Sequence, residues 1–258
     1  MKEALLMTTH ILNDEMYRRY RKMRSELPQD EYDVVLFVNN FNGDLDDEIE
    51  NIPEDIMFYE QTKQRIFDIE SQGYFCLHLP NNSYMWYNMH LITLDFYLNH
   101  KREYSHYTHM EYDVIFNGDS KMLFGALKEH ASDVDFIASN MTTHNEDSEW
   151  MWYKFGNRIR YIGLPEVMSS LNAFMRISDR AMHHLESSYH THFGAFHECM
   201  IVTMLLNAEQ FTIGDLFTSE RFNVDRISGV FVDYDSFNTD MTKVPDEPDN
   251  KLYHPVKC

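Results

Sequence analysis

The chain has 258 residues, 42 of them acidic and 22 basic, so its formal net charge is −20. Its apolar fraction of 43% is that of a folded globular protein and excludes wholesale disorder. The acidic excess argues against a sequence-independent grip on nucleic acid or on an anionic membrane, because phosphates would be repelled, whereas a divalent cation prefers carboxylate-rich clefts.

The cysteines and the amino terminus bear on the cellular compartment. Cys76, Cys199 and Cys258 are spaced like neither a zinc site nor a disulfide framework, so we expect reduced thiols. The amino terminus has acidic and polar residues where a signal peptide would be apolar, and the longest apolar run, near Cys199–Leu206, is too short to span a bilayer. We therefore expect a cytoplasmic protein without a transmembrane segment.

The first third of the chain predicts strands that alternate with a helix. Apolar runs predict strands at Ala4–Thr9 and Asp33–Val38, and a further strand near Gly73–Leu79. Between the first two strands we expect a helix at Asp14–Leu27, with Asn13 as its N-cap and acids in its first turn. The unbroken apolar run at 33–38 is typical of a strand that is covered on both faces.

The middle of the chain predicts a long helix followed by a strand. The helix is expected at Ser83–Asn99, because apolar residues recur there on one face, at Met85, Met89, Ile92 and Phe96. The strand is expected within Tyr107–Phe116, before the polar residues Asn117-Gly118-Asp119.

The second half predicts strands at Asp135–Ser139 and Leu171–Ile177, a helix at Ala195–Ala208 and an irregular acidic tail from Phe222 onward. The alternation of strands and helices predicts an α/β fold with a central, mostly parallel sheet flanked by helices. Because no linker-like segment divides the chain, we expect one domain over residues 1–258.

Two acids mark the predicted mid-chain strand. Glu111 and Asp113 are separated by Tyr112, so with a strand period of two they would point to the same face. Paired carboxylates on a mostly buried strand are costly unless a cation such as Mg²⁺ or Mn²⁺ neutralises them. The alternative is an edge strand whose acids face water.

The segment His106–Asp119 resembles the acidic strand end of GT-A-fold glycosyltransferases. In particular it is similar to bacterial nucleotide-sugar-dependent enzymes with a Glu-Tyr-Asp-Val version of the Asp-x-Asp motif, which also have a Tyr-His-Pro-Val-Lys segment near the carboxyl end, here Tyr253–Lys257. The resemblance implies a single Rossmann-like GT-A domain. Residues 1 to about 119 would hold the nucleotide sugar and the metal, and residues from about 120 to 258 would form the acceptor half, with the tail closing over the donor.

The same resemblance implies a set of metal and diphosphate ligands for Mn²⁺ or Mg²⁺. Asp113 would be a direct ligand, and Glu111 a second ligand or a partner of the ribose or of a metal-bound water. His254 is implied as a further ligand and Lys257 as a partner of the diphosphate. Without the resemblance, His254 would be one exposed tail histidine among 14.

Glu198 is the candidate catalytic base. An acceptor hydroxyl must lose a proton as it attacks the sugar, and Glu198 lies near the start of a predicted helix. The segment around Glu198 resembles the place where inverting GT-A enzymes have their catalytic Asp or Glu, and this resemblance implies the role of base for Glu198. Since a helix amino terminus favours the charged form of a carboxyl, we expect Glu198 to be ionised. The alternative is that it only complements the helix dipole.

Five further residues complete the predicted site. Thr9 and Asn39 end strands at the edge that faces the nucleotide in GT-A folds, and Asn88 lies on the helix before the metal strand. Trp150 and Trp152 lie beside acids, an arrangement that suits stacking on an acceptor sugar, although core aromatics that hold a loop would give the same pattern.

The predicted function is metal-dependent transfer of a sugar from a nucleotide-diphosphate-sugar to a hydroxyl of a glycan or lipid-linked glycan, with inversion, in surface polysaccharide biosynthesis. A peripheral contact with the inner face of the membrane stays open, and no nucleic-acid partner is expected. Two alternatives remain: a non-catalytic glycan-binding protein on a degenerate transferase fold, and a metal-dependent nucleotidyltransferase.

Overall fold

Nine strands lie within residues 1–77, 84–147, 149, 166–190, 195–217, 222, 224 and 226–256, which are those that the computed structural model describes. They are β1 (Lys2–Thr9), β2 (Tyr32–Asn40), β3 (Phe58–Thr62), β4 (Tyr104–Glu111), β5 (Ile115–Phe116), β6 (Phe136–Thr143), β7 (Met168–Ser178), β8 (Ile213–Asp215) and β9 (Leu252–Tyr253). Seven of them form one sheet in the order β3-β2-β1-β4-β7-β6-β8, and β5 pairs with β9 in a second, small sheet.

Helices cover the sheet. In the described part of the chain they are α1 (Asp14–Glu26), α2 (Asp46–Ile49), α3 (Lys63–Ser71), α4 (Tyr84–Tyr87), α5 (His90–Asn99), α6 (Ser120–His130), α7 (Asp179–Ser188) and α8 (His197–Leu206). None of these described helices is long and apolar enough to cross a membrane.

The direction of the strands determines which residues meet at the edge of the sheet. β1 runs parallel to both β2 and β4, β2 to β3, and β6 to β8, whereas β7 is antiparallel to β4 and β6. The predicted α/β fold with a central, mostly parallel sheet flanked by helices is therefore confirmed. The carboxyl ends of β1, β2 and β4 lie at one edge, and the amino-terminal half of the antiparallel β7 reaches the same edge.

The core consists of two apolar layers, one on each face of the sheet. Neighbouring residues of β1 point to opposite faces, and both Leu5 and Leu6 are fully buried. Leu5 packs in one layer with Tyr20 of α1, and Leu6 in the other with Phe96 of α5 and Met200 of α8. Full burial of each leucine contributes about 1.5–3 kcal/mol, which explains why the centre of this strand is apolar.

Several predicted elements agree with the structure. Asn13 caps α1, since its Oδ1 accepts a hydrogen bond from the amide of Met16 at 2.9 Å. The strands predicted at Ala4–Thr9 and Asp33–Val38 lie within β1 and β2.

The predicted helix at Ser83–Asn99 is wrong in form. Two helices, α4 and α5, occupy this part of the chain, and every residue from His90 to Tyr97 is buried. α5 packs against the sheet and against helices on both of its sides, α3 and α7. A helix enclosed in this way has no solvent face, so the expected amphipathic periodicity has no structural counterpart.

Strand β3 was not predicted from the sequence, and the strand predicted near Gly73–Leu79 is wrong for the residues that the structure describes there, 73–77. β3 is short, lies at the edge of the sheet and contains Glu60 and Gln61, so it lacks an apolar run. Gln61 is nevertheless fully buried, where its Nε2 donates to the carbonyl of Leu91 at 3.2 Å.

The carboxyl-terminal tail is tied to the segment that follows β4. β9 pairs with β5, and the amide of Asn117 donates to the carbonyl of Lys251 at 2.8 Å. Further along, the amide of Val256 donates to the carbonyl of Asp113 at 2.9 Å. These backbone bonds place the tail beside the end of β4.

Candidate active site

A cavity of about 460 Å³ opens at the carboxyl edge of β1, β2 and β4. Its size is in the range of small-molecule sites, and its position is where open α/β sheets bind ligands. Among the described residues that line it, His10 is the one basic side chain, and no Lys or Arg contributes. The described lining residues are Thr8, Thr9, His10, Asn39, Asn40, Phe41, Asn42, Asp44, Leu45, Met85, Trp86, Met89, Ile92, Glu111 and Tyr112.

Of the two acids, Glu111 lines this cavity, whereas Asp113 is not among the described lining residues and lies beyond the end of the strand. β4 ends at Glu111, and Asp113 lies in a turn in which the amide of Val114 donates to the carbonyl of Glu111 at 3.0 Å. The argument from a strand period of two is therefore wrong for Asp113, because the strand has ended before it. The turn still holds the two carboxyl groups close together: their ligand atoms lie within 4.8 Å of each other, so both could contact one ion.

His254 completes a cluster with these acids. Its Nδ1 lies 2.7 Å from the carbonyl oxygen of Asn238, to which it must donate, so in the neutral imidazole the lone pair is on Nε2. Nε2 lies 3.9 Å from Oδ1 of Asp113. A backbone carbonyl that fixes the tautomer of a ligating histidine is the usual outer partner in protein metal sites.

The donor set of this acidic cluster (Glu111, Asp113 and His254) fits a divalent cation. One ligand atom from each residue lies within 4.8 Å of the others. Oδ1 of Asp113 is buried and has no hydrogen-bond partner, an arrangement that is costly for a carboxylate on its own. Burial, with the charge of Glu111 in addition, raises the pKa of Asp113. A cation would supply the missing partner and favour the ionised form.

Glu198 approaches the site from the other side of β4. Met110 pairs with Phe174 of the antiparallel β7, and two residues earlier the amide of Asn172 lies 3.4 Å from Oε1 of Glu198. Burial raises the pKa of Glu198 to about 8, and the negative charge of Glu111 acts in the same direction. The expectation that the helix amino terminus keeps Glu198 ionised is therefore wrong in the ligand-free protein, because the loss of hydration outweighs the helix dipole.

Two of the predicted nucleotide contacts line the cavity. Thr9 is buried, and its hydroxyl donates to the carbonyl of Ile11 at 2.7 Å and accepts from the amide of Ile11 at 3.0 Å. Asn39 is half-buried, and its Oδ1 accepts from the amide of Phe41 at 3.2 Å.

Asn88 is not among the described residues that line the cavity. It is fully buried and holds Leu77 through two hydrogen bonds, with Oδ1 accepting from the amide at 2.7 Å and Nδ2 donating to the carbonyl at 3.1 Å. Asn88 therefore holds the backbone of Leu77 in position and does not line the cavity in the described part of the chain. Lys257, Trp150 and Trp152 lie outside the described residues.

Two cavity residues that the sequence analysis did not select are His10 and Trp86. His10 packs edge-on against Tyr112 at 4.6 Å between ring centroids, and Trp86 is half exposed in the cavity wall. His10 directly follows Thr9, so the argument that selected Thr9 would have found it. Trp86 could not be found in this way, because it was expected on an ordinary amphipathic helix.

No family model and no curated protein matches this sequence. Among solved structures, the crystal structure of mouse xyloside xylosyltransferase 1 in its apo form matches with a TM-score of 0.46 and 13% identity, over 98% of this chain and 96% of that chain.

Proposed function

We propose that this protein is a metal-dependent glycosyltransferase of the GT-A type, which transfers a sugar from a nucleotide-diphosphate-sugar to a hydroxyl group. The observation that carries the proposal is the acidic cluster, one member of which, Glu111, lines the cavity. Residues that can hold a cation next to a ligand-sized cavity, at the carboxyl edge of a parallel sheet, suit the binding of a nucleoside diphosphate together with its metal.

The charges around the cavity support metal dependence. A diphosphate entering this cavity meets Asp44 and Glu111 and, in the described wall, no Lys or Arg. Its negative charges would therefore be repelled unless a cation were present. Bound Mn²⁺ or Mg²⁺ would neutralise the diphosphate and polarise it as a leaving group. Glu111, Asp113 and His254 would hold that ion, and Lys257 is proposed as a further partner of the diphosphate.

The nucleoside is proposed to lie at the ends of β1 and β2. Thr9 and Asn39 line the cavity there, and both have backbone partners that hold their side chains in place. We therefore assign them a role in shaping the ribose and base subsite.

Glu198 is proposed as the base that accepts the proton of the acceptor hydroxyl, which corresponds to inversion at the anomeric carbon. Its pKa of about 8 places it among groups suited to proton transfer near neutral pH. Offsetting the charge of Glu111 by a cation would lower this pKa and favour the ionised, proton-accepting form. Trp150 and Trp152 remain proposed acceptor contacts.

The biological setting is proposed from the sequence. We assign the whole chain, residues 1–258, to one transferase domain with a donor half up to about residue 119 and an acceptor half after it. The acceptor would be a glycan or a lipid-linked glycan of surface polysaccharide biosynthesis. The reaction would take place in the cytoplasm, with a peripheral contact at the inner face of the membrane.

A thermal-shift screen tests the proposal. UDP, GDP, ADP, CDP and dTDP and their glucose conjugates are added with and without Mn²⁺. A ligand of the folded state raises the melting temperature, by the equivalent of about 2.7 kcal/mol at a hundredfold excess over Kd. We expect a Mn²⁺-dependent shift for one base, which is lost in Asp113→Asn and kept in Asp133→Asn, an exposed aspartate outside the cluster. The absence of a shift for every nucleotide, with and without metal, would refute the proposal.

A further inference from the structure

Trp86 is an indole in the wall of the cavity. It is 48% exposed, whereas its neighbours in α4, Met85 and Tyr87, are buried. Tryptophan is usually well covered, because its large apolar surface gains most from burial. An indole that remains half exposed inside a ligand-sized cavity therefore presents an apolar surface to whatever enters the cavity.

Two neighbouring rings fix the orientation of this indole. Tyr87 meets Trp86 edge-on at 4.8 Å and 75°, and Phe196 lies against it at 5.2 Å and 48°. Tyr87 also packs edge-on against Phe196 at 6.3 Å, so the three rings form one group. A side chain with only two rotatable bonds that is held in this way loses little further entropy when a ligand binds.

The position of Phe196 places the indole near the reacting groups. Phe196 precedes α8, and its carbonyl accepts from the amides of Cys199 and Met200 at 2.9 Å each. Glu198 lies two residues after Phe196, and Glu111 lines the same cavity as Trp86. The indole therefore lies in the cavity wall and against the residue that directly precedes the helix of the proposed base.

We propose that Trp86 is the platform on which a pyranose ring stacks at the reacting end of the cavity. This inference rests on the proposed function and adds a sugar-binding residue to it. The apolar C–H face of a sugar ring packs against an aromatic ring, while its hydroxyl groups need polar partners. Asp44 and Glu111 offer carboxylate acceptors in the same cavity.

The stacked ring can come from either substrate, since the transferred sugar of the donor and the first sugar of the acceptor share this chemistry. The test therefore compares Trp86→Ala and Trp86→Phe with a control, Phe58→Ala. Phe58 is a 42% exposed aromatic in the edge strand β3 and does not line the cavity. Unchanged far-UV circular dichroism and melting temperatures first establish that each variant is folded.

Calorimetry with Mn²⁺ then measures the Kd of each nucleoside diphosphate and of its glucose conjugate. Saturation-transfer NMR measures direct binding of the methyl glycosides of glucose, galactose, mannose and xylose. For a ring from the donor, Trp86→Ala weakens the nucleotide sugar about tenfold and leaves the diphosphate unchanged. For a ring from the acceptor, Trp86→Ala removes the signals of the methyl glycoside. In both cases Trp86→Phe retains most of the binding and Phe58→Ala all of it.

Two outcomes would overturn the inference. Equal weakening of the diphosphate and of its glucose conjugate means that Trp86 stacks on the base, and unchanged binding of every probe means that it contacts no ligand. The fate of the proposed function is measured separately in the wild type. If no nucleotide binds with Mn²⁺ but methyl glycosides bind through Trp86, the transferase function fails while the platform remains, which would point to a glycan-binding protein.

Discussion

The imidazole of His254 and the carboxyl group of Asp113 face each other across 3.9 Å, from Nε2 to Oδ1, although they lie in distant parts of the chain. The carbonyl of Asn238 holds the other ring nitrogen, and Val256 bonds the backbone of Asp113. The tail thus brings His254 to the acidic cluster and is itself attached to the turn that contains Asp113. Metal binding and docking of the tail should therefore be coupled.

Loss of a cluster ligand should weaken metal binding and leave the fold intact. We expect His254→Asn and Asp113→Asn each to raise the Kd for Mn²⁺ at least tenfold, which is about 1.4 kcal/mol, because each removes one of three ligand groups. Isothermal titration calorimetry measures this effect.

His183→Asn is the matched control, since this side chain is 68% exposed on α7 and outside the cluster. Mn²⁺ affinity that is the same in all three variants and the wild type would mean that the cluster does not bind the ion.

Glu198→Gln should abolish transfer without affecting binding of the nucleotide. General base catalysis contributes about 10²–10⁴ in rate, so we expect a loss of this size in kcat with an unchanged Kd for the nucleoside diphosphate. The control is Glu129→Gln, on an exposed position of α6. A kcat within twofold of the wild type in Glu198→Gln would assign the base to another residue.

The pH profile of transfer should report the same carboxyl group. Glu198 is active when ionised, and burial raises its pKa to about 8 from an ordinary 4.5, so kcat/KM should fall as the pH is lowered through the pKa of the free protein. Saturating Mn²⁺ offsets the charge of Glu111, so we expect an apparent pKa between these two values. A profile that stays flat from pH 4 to 9 would contradict the assignment.

The sequence predicted the sheet better than it predicted the site. Apolar runs identify β1 and β2 because the centre of each strand is buried on both faces, which favours apolar residues at successive positions. The acid pair was found from its motif, although Asp113 lies in a turn and not on the strand. The ionisation of Glu198 could not be predicted, since it depends on burial and on the charge of Glu111, which comes from another part of the chain. The position of Trp86 could not be predicted either, since it depends on contact with Phe196, a residue far away in the sequence.

Gly118 should be required for the tail to lie beside the acidic cluster. A Cβ added at Gly118 would lie 3.0 Å from the Cα of Asn250 and still closer to its side-chain oxygen, so the backbone of the tail would have to move. We expect Gly118→Ala to lower the free energy of unfolding by about 1–3 kcal/mol and to weaken Mn²⁺ binding, because His254 lies four residues further along the tail.

Gly125→Ala provides the control, because a Cβ at Gly125 meets no atom within 4 Å and alanine favours the helix α6. This variant should be as stable as the wild type or more so, with unchanged Mn²⁺ affinity. Equal Mn²⁺ affinity in both glycine variants would show that metal binding does not depend on the position of the tail.

Burial of His90 should make the protein sensitive to acid. Burial lowers the pKa of His90 from 6.5 to about 4, although Nε2 lies 3.1 Å from the carbonyl of Phe75. Between these values the unfolded chain binds a proton at His90 that the folded chain excludes, so the contribution of His90 to the free energy of unfolding should fall by roughly 3 kcal/mol as the pH is lowered from 6.5 to 4. The raised pKa of Glu198 acts in the opposite direction over the same range, so the test compares variants. On going from pH 7 to pH 5 in urea unfolding, the wild type and His183→Gln should lose more stability, or gain less, than His90→Gln, because glutamine does not titrate. The same pH dependence in His90→Gln and in the wild type would show that other groups cause the acid sensitivity.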